Sequence, residues 1–237
     1  MAMHSYTVEV QSDFLEKITR AKPIQGLAEF IWNSLDADAA TVDVFFEDNA
    51  LGVMSRIIVR DNGTGMEHAS APELFGSLGG SWKRAGATTK EGRFLHGQDG
   101  RGRFKVFSLG NVAEWDVTYQ KDGARSTFGV AMAAARLKEV AISDEAPADG
   151  DKPRGATLTI SELQKDFRSL TSEAGLQELT EIFALYLGSR WRPELWPARV
   201  APKTGSRSHY NASSGRIVVT SKPPFKRKGR HFRPFAS

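Results

Sequence analysis

Between Pro23 and Asp48 the hydrophobic pattern changes period once, and that change constrains the fold more than any other stretch of the chain. Ile24, Leu27, Ala28, Ile31 and Leu35 recur every three or four residues, the spacing of one helix face, and Pro23 suits the first turn. From Thr41 the run TVDVFFED alternates with the period of a half-buried strand. Glu29, Asn33 and Asp36 interrupt the helix on, or close to, the face it buries. Taken alone, they fit a solvent-facing polar stripe.

Further along, SRIIVRDNGTGM reads as a strand running into a glycine turn, with Asn49 and Gly52 supplying the turn before it. SAPELFGSLGGS starts like a capped helix and then dissolves into glycine. Residues 81–102 are rich in Gly, Lys, Arg and Thr without periodicity, and RFKVFSLG resumes an ordered, helical segment. AEWDVTYQ, RSTFGVAM, RLKEVAIS and GATLTISEL read as strands, with a Pro/Asp/Gly-rich loop over 144–155. DFLEKITRA (residues 13–21) and SLTSEAGLQELTEIFALYL read as amphipathic helices at either end of this order. Helices, two strands, a glycine-rich middle, then more strands and a helix predict an α+β layer fold: a mixed sheet with helices on one face.

Composition narrows the function classes. The chain has 237 residues, 40% hydrophobic and 25% charged, ordinary for a globular protein with a sizeable core. It has no cysteine, which excludes disulfides, thiol catalysis and cysteine-held clusters and fits a reducing, cytoplasmic setting. No apolar run is long enough for a transmembrane helix, so no membrane partner is expected. None of the five histidines pairs with zinc-ligand spacing. The net charge of +4 is uneven: from Gly188 onward there are twelve Lys/Arg against one acid, Glu194, a balance of +11. The first 187 residues carry −7.

Three further blocks carry chemistry. Glu29 and Asn33 are four apart and share a helix face, so a carboxylate and a carboxamide there can orient water and bind a hard cation such as magnesium. In VRDNGTGM, Asp61 ends a strand and can accept a hydrogen bond from an exocyclic amine, while Gly63 and Gly65 let a flat ligand approach; a tight turn explains the same residues. In HGQDGRGRFK, Gly97, Gly100 and Gly102 lead into an apolar segment and could offer backbone N–H groups to phosphate, with Arg101, Arg103 and Lys105 adding positive charge. A surface loop would look similar. The fourth block is RGATLTI, with Thr157 near a strand start.

In their order, E-x-x-x-N-x-x-D, D-x-G-x-G, G-x-x-G-x-G and G-x-T resemble the GHKL ATPase superfamily, named for gyrase, the heat-shock chaperone, histidine kinases and MutL. SLDADA and GRFLHGQDGRGRFKVFSLG look closest to its chaperone, MutL and MORC side. The resemblance implies the two-layer α/β sandwich of the Bergerat ATP-binding fold, with a mobile ATP lid over about 77–104. It implies that Glu29 is the general base, that Asn33 ligates Mg2+, and that Asp61 accepts the adenine amino group. It further implies that Gly63, Gly65 and Met66 border the ring, with Gly65 making room for it. Thr157 would assist, Asp36 would support the pocket, and Gly97, Gly100 and Gly102 would wrap the phosphates. The implied activity is Mg2+-dependent ATP binding with slow ATP hydrolysis, working as a nucleotide-driven conformational switch, with homodimerisation on nucleotide binding.

Residues 1–187 are thus expected to form the ATP-binding domain and 188–237 a basic Pro/Ser/Arg-rich tail, irregular or a truncated or out-of-frame remnant. Only GRIVVT in that tail suggests regular structure. Two other functions stay open: a non-catalytic nucleotide-sensing or partner-binding module, and a nucleic-acid-binding protein acting through its basic tail.

Overall fold

A computed structural model describes residues 21–76, 102–188, 208–211 and 216–220. The helix expected over 13–21 and most of the expected lid lie outside these residues. The elements, in chain order, are helix α1 (Pro23–Asp36), strands β1 (Thr41–Asp48) and β2 (Met54–Asp61), and a short helix α2 (Ala71–Gly76). A 3-10 segment (Gly102–Ser108) precedes β3 (Gly110–Lys121) and β4 (Ala124–Ala133). Then come β5 (Ala141–Ile142), β6 (Ala146–Pro147), β7 (Gly155–Leu163), helix α3 (Glu173–Gly188), β8 (Ser208–Asn211) and β9 (Arg216–Thr220).

The strands form one nine-stranded sheet in the order β5-β4-β3-β7-β2-β1-β9-β8, with β6 beside β4. A mixed sheet was expected; every pairing among the described residues is antiparallel. Local hairpins account for part of this. Asn49 accepts from the N–H groups of Leu51 and Val53 and closes β1 onto β2. Asp122 and Gly123 both take positive φ, the mirror-image turn that matches strand twist, and close β3 onto β4.

Alternation then sorts side chains between the two faces. Val42, Val44, Ile57, Val59, Leu158, Ile160, Ala113, Val117 and Ile217 are buried on the inner face, under the helices. The helices close over them: Trp32 of α1 meets Phe183 of α3 with ring centroids 4.5 Å apart. Trp32 is thus a packing residue. Gly26 lets α1 lie directly on the 3-10 segment, because a Cβ there would stand 2.7 Å from Ser108 Oγ.

Two segments differ from the pattern read in the sequence. RLKEVAIS was expected to be a strand; only Ala141–Ile142 pairs, while Ala134–Arg136 winds a 3-10 turn. Leu137, Val140 and Ile142 still pack against the core, but at three- and two-residue spacing with Lys138 and Glu139 exposed between them, so the run does not alternate as a strand would. RFKVFSLG is helical as expected, but with 3-10 winding.

The second difference is in the C-terminal segment. Residues 208–211 and 216–220 were expected to fall in an irregular tail, and they are the last two strands of the sheet. Ile217 and Val219 are buried opposite Val44 and Val42. On the outer face the Arg216 guanidinium donates to Asp43 Oδ1 at 2.7 Å. It also stacks over Phe45, 5.4 Å from the ring centre, with Arg60 5.6 Å from the same ring. One arginine and two alternately buried apolar residues in so short a run satisfy one edge of β1, a gain invisible until β1 is there to be paired.

Candidate functional site

The site begins on α1. From Ile24 to Asp36 every residue is buried except Gln25, Glu29 and Asn33, which are four apart and form a single line along the helix. A surface helix shows a broad polar face; this helix is enclosed on all sides but one narrow strip. Asp36, off that strip, is 7% exposed and lies inside the fold.

Gly102 stands against the strip. A Cβ on it would lie 2.8 Å from Glu29 Oε2 and 3.8 Å from Asn33 Nδ2, so only glycine lets the 3-10 segment come this close without displacing them. One turn on, Lys105 donates from Nζ to Glu29 Oε1, closing an ion pair across the gap. The Lys105 and Glu29 side chains are 28% and 19% exposed. Arg103 packs over the Phe104 ring, and burial brings its guanidinium down to about 10.

The other half of the site forms where β2 ends. Asp61 receives three hydrogen bonds: Ser34 Oγ to Oδ2 at 2.9 Å, and the Gly63 and Ala156 N–H groups to Oδ1 at 2.8 and 3.2 Å. Burial raises the carboxyl above the usual aspartate range, and these three donors only partly offset it. Around it the backbone is close-packed. Asn62 accepts from the Ala40 and Thr41 N–H groups, Thr64 N–H donates to Ala37 O, and Arg154 Nε donates to Gly63 O.

The glycines of D-x-G-x-G fill this knot. A Cβ on Gly63 would stand 2.6 Å from Ala37 O. Gly65 has φ +68, and a Cβ there would stand 2.4 Å from Thr118 O. Gly65 was expected to make room for a ring; in the structure the neighbour that demands glycine is the β3 backbone. Met66 is half-buried and packs against the core.

Thr157 is not brought to this site. On β7 it pairs with Arg60 of β2 and Asp116 of β3, whose side chains are on the outer face, opposite Asp61. The residue facing Asp61 from β7 is Ala156, one position earlier. Gly97 and Gly100 lie outside the described residues.

The structure therefore unites Glu29, Asn33 and Gly102 in one cluster and Asp61, Gly63 and Gly65 in another, with α1 common to both through neighbouring Asn33 and Ser34. Ser34, Lys105 and Ala156 join them without having been singled out for these contacts. Lys105 had a visible signal, a cation three residues past the last glycine of the motif, but its pairing with Glu29 had none. Among the described residues no group of three His, Cys, Asp or Glu could hold a metal ion. An all-protein metal cage does not fit, whereas one carboxamide fits a magnesium that keeps its waters and phosphate ligands. Among the same residues no helix is long and apolar enough to cross a membrane.

Comparison with known proteins agrees with this geometry. Residues 22–159, more than half of the chain, match the family described as histidine kinase-, DNA gyrase B- and HSP90-like ATPase. The chain is also 31% identical over 100 residues to a Herpetosiphon aurantiacus protein provisionally named type II restriction enzyme HgiDII. That match takes in 42% of this chain and 15% of the relative's length.

Proposed function

Because this chain belongs to the histidine kinase-, DNA gyrase B- and HSP90-like ATPase family, we propose that its ATP-binding module hydrolyses ATP slowly and changes conformation with the nucleotide it holds. The observation that carries the proposal is the line of Glu29 and Asn33 as the one open strip of an otherwise buried helix, with Gly102 set against it.

The roles follow from the donor sets. Asp61, held by three donors on a buried strand end, keeps its remaining lone pairs for the exocyclic amine of a purine. Asn33 would hold Mg2+ through its carboxamide oxygen; when bound, that ion supplies neutralising charge to the phosphates. Glu29 takes the proton of a water that attacks the terminal phosphorus. As the new P–O bond forms, the bridging P–O bond breaks and its electron pair leaves on ADP. Asp36, Met66, Gly97 and Gly100 are assigned supporting and phosphate-wrapping positions on the strength of the motif, and a homodimer on ATP binding belongs to the same reading.

The experiment is a Mg2+-ATP titration of the wild type, Glu29→Ala and Asp61→Ala, followed by turnover. Expected are binding by wild type, loss of affinity in Asp61→Ala, and binding without hydrolysis in Glu29→Ala. General-base removal typically costs about 100- to 10,000-fold in rate. No binding by wild type, or an unchanged Asp61→Ala, overturns the proposal. Intact binding with no turnover in wild type would instead mark a nucleotide-sensing module.

A second reading, that the ATPase module serves a nucleic-acid-processing protein, draws on the name of the relative and the +11 balance after Gly188. Deleting residues 188–237 would also remove β8 and β9, so neutralising Lys226, Arg227 and Lys228 is the cleaner variant. Duplex-DNA affinity that falls steeply with salt and weakens in that variant supports it; salt-independent or absent binding rejects it.

A further inference from the structure

We propose that Lys105 is a nucleotide-responsive counter-charge. It holds Glu29 while the site lacks a terminal phosphate, and transfers to that phosphate when a nucleoside triphosphate binds. The inference rests on the ATPase reading above and concerns a residue that reading does not use.

Three features of the contact support it. First, Lys105 Nζ donates directly to Glu29 Oε1, while Gly102 lies beside Oε2 and Asn33 reaches the same spot. The ammonium therefore occupies one side of the carboxylate that would take a proton from water. The oxygen that accepts from the ammonium is occupied, so the ion pair and an attacking water compete for the same carboxylate. Second, the main chain of Lys105 is tied down by contacts of its own, while its ammonium is held by the Glu29 contact. The Lys105 carbonyl accepts from Ser108 Oγ at 2.7 Å and lies under Gly26, whereas the ammonium sits on a flexible four-carbon stem. Third, a terminal phosphate carries more negative charge than a carboxylate and offers three acceptor oxygens, so it competes well for an ammonium. The transfer breaks no covalent bond. It stabilises the bound triphosphate and releases Glu29 as a base in the same event, which keeps the base restrained until substrate is present.

The test uses the full chain with Mg2+, measuring affinity for ADP and for a non-hydrolysable ATP analogue in the wild type, Lys105→Met, Lys105→Arg and Glu29→Gln. Lys105→Met should lose about tenfold in analogue affinity, the worth of one charge-assisted hydrogen bond, with ADP affinity held within about twofold. Lys105→Arg should recover part of the loss. Glu29→Gln should raise the preference for analogue over ADP, because the competing carboxylate is gone. A merely structural lysine would weaken both nucleotides together. An unchanged analogue-to-ADP ratio in Lys105→Met, or a ratio in Glu29→Gln that fails to rise, overturns the proposal while leaving the ATPase reading intact. Wild type that binds neither nucleotide overturns both. If circular dichroism shows that Lys105→Met does not fold, the Glu29→Gln ratio decides alone.

Discussion

Ser34 on α1 donates its hydroxyl hydrogen to Asp61 at the end of β2, 2.9 Å away, and so ties the helix that carries Glu29 and Asn33 to the strand end beside it. Asp61 is nevertheless raised above the usual aspartate range, burial outweighing its three donors. The sign of the linkage follows. A carboxyl with a raised folded-state value contributes stability while it is protonated, and that contribution is lost as pH rises through the raised value. Burying Asp61 therefore costs stability as pH rises above the usual aspartate range. Asp61→Asn, which resembles the protonated acid, should melt above wild type at pH 7, with the difference closing as pH falls. Melting curves across pH check this, and a wild type that stays the more stable at pH 7 contradicts it.

The sheet register places Thr157 and Ala156 on opposite faces, which gives a paired test at neighbouring positions. Thr157→Val should leave nucleotide affinity within about twofold, as expected for an outer-face change. Ala156→Leu pushes added volume toward Asp61 and should lower affinity about tenfold, in line with overpacking costs. Titration of both variants settles which residue of G-A-T belongs to the site. The reverse ranking would mean that β7 presents its other face.

Gly155 has φ +138 and no room for a side chain, since a Cβ would stand 2.1 Å from Asp61 O. Gly155→Ala should destabilise the protein by about 2–4 kcal/mol through strain and displacement of the strand end. Chemical denaturation measures the loss, and nucleotide affinity should fall with it because Asp61 moves.

Ile217 sits fully buried in β9 against β1. Ile217→Ala should cost about 2–4 kcal/mol, the usual range for emptying a core position. Arg216→Ala, which removes only the outer-face contact of half-exposed Arg216 with Asp43 and Phe45, should cost less than about 1 kcal/mol. If both variants unfold like wild type, residues 216–220 contribute nothing to the sheet.

The parts of the site that could be seen in the sequence are those governed by local geometry. The four-residue spacing of Glu29 and Asn33 determines their common face wherever the helix sits, because helical pitch is a property of the backbone. The position of Asp61 follows as directly from a strand running into Asn62-Gly63. Family resemblance adds the order of these blocks, and the match over residues 22–159 agrees with it. The strand at GRIVVT was also visible as a pattern, although its partner was not.

Tertiary structure decided what depends on pairing between distant segments. Which face of β7 turns inward is a matter of register with β2 and β3, and a shift of one residue exchanges Ala156 for Thr157. The antiparallel sheet, the return of residues 216–220 to β1 and the Lys105–Glu29 ion pair likewise join residues far apart in sequence. No periodicity records such contacts, because their free energy appears only when two surfaces meet. The sequence alone determined the chemical groups and their local spacing; packing determined that Ser34 braces Asp61 and that Lys105 holds Glu29.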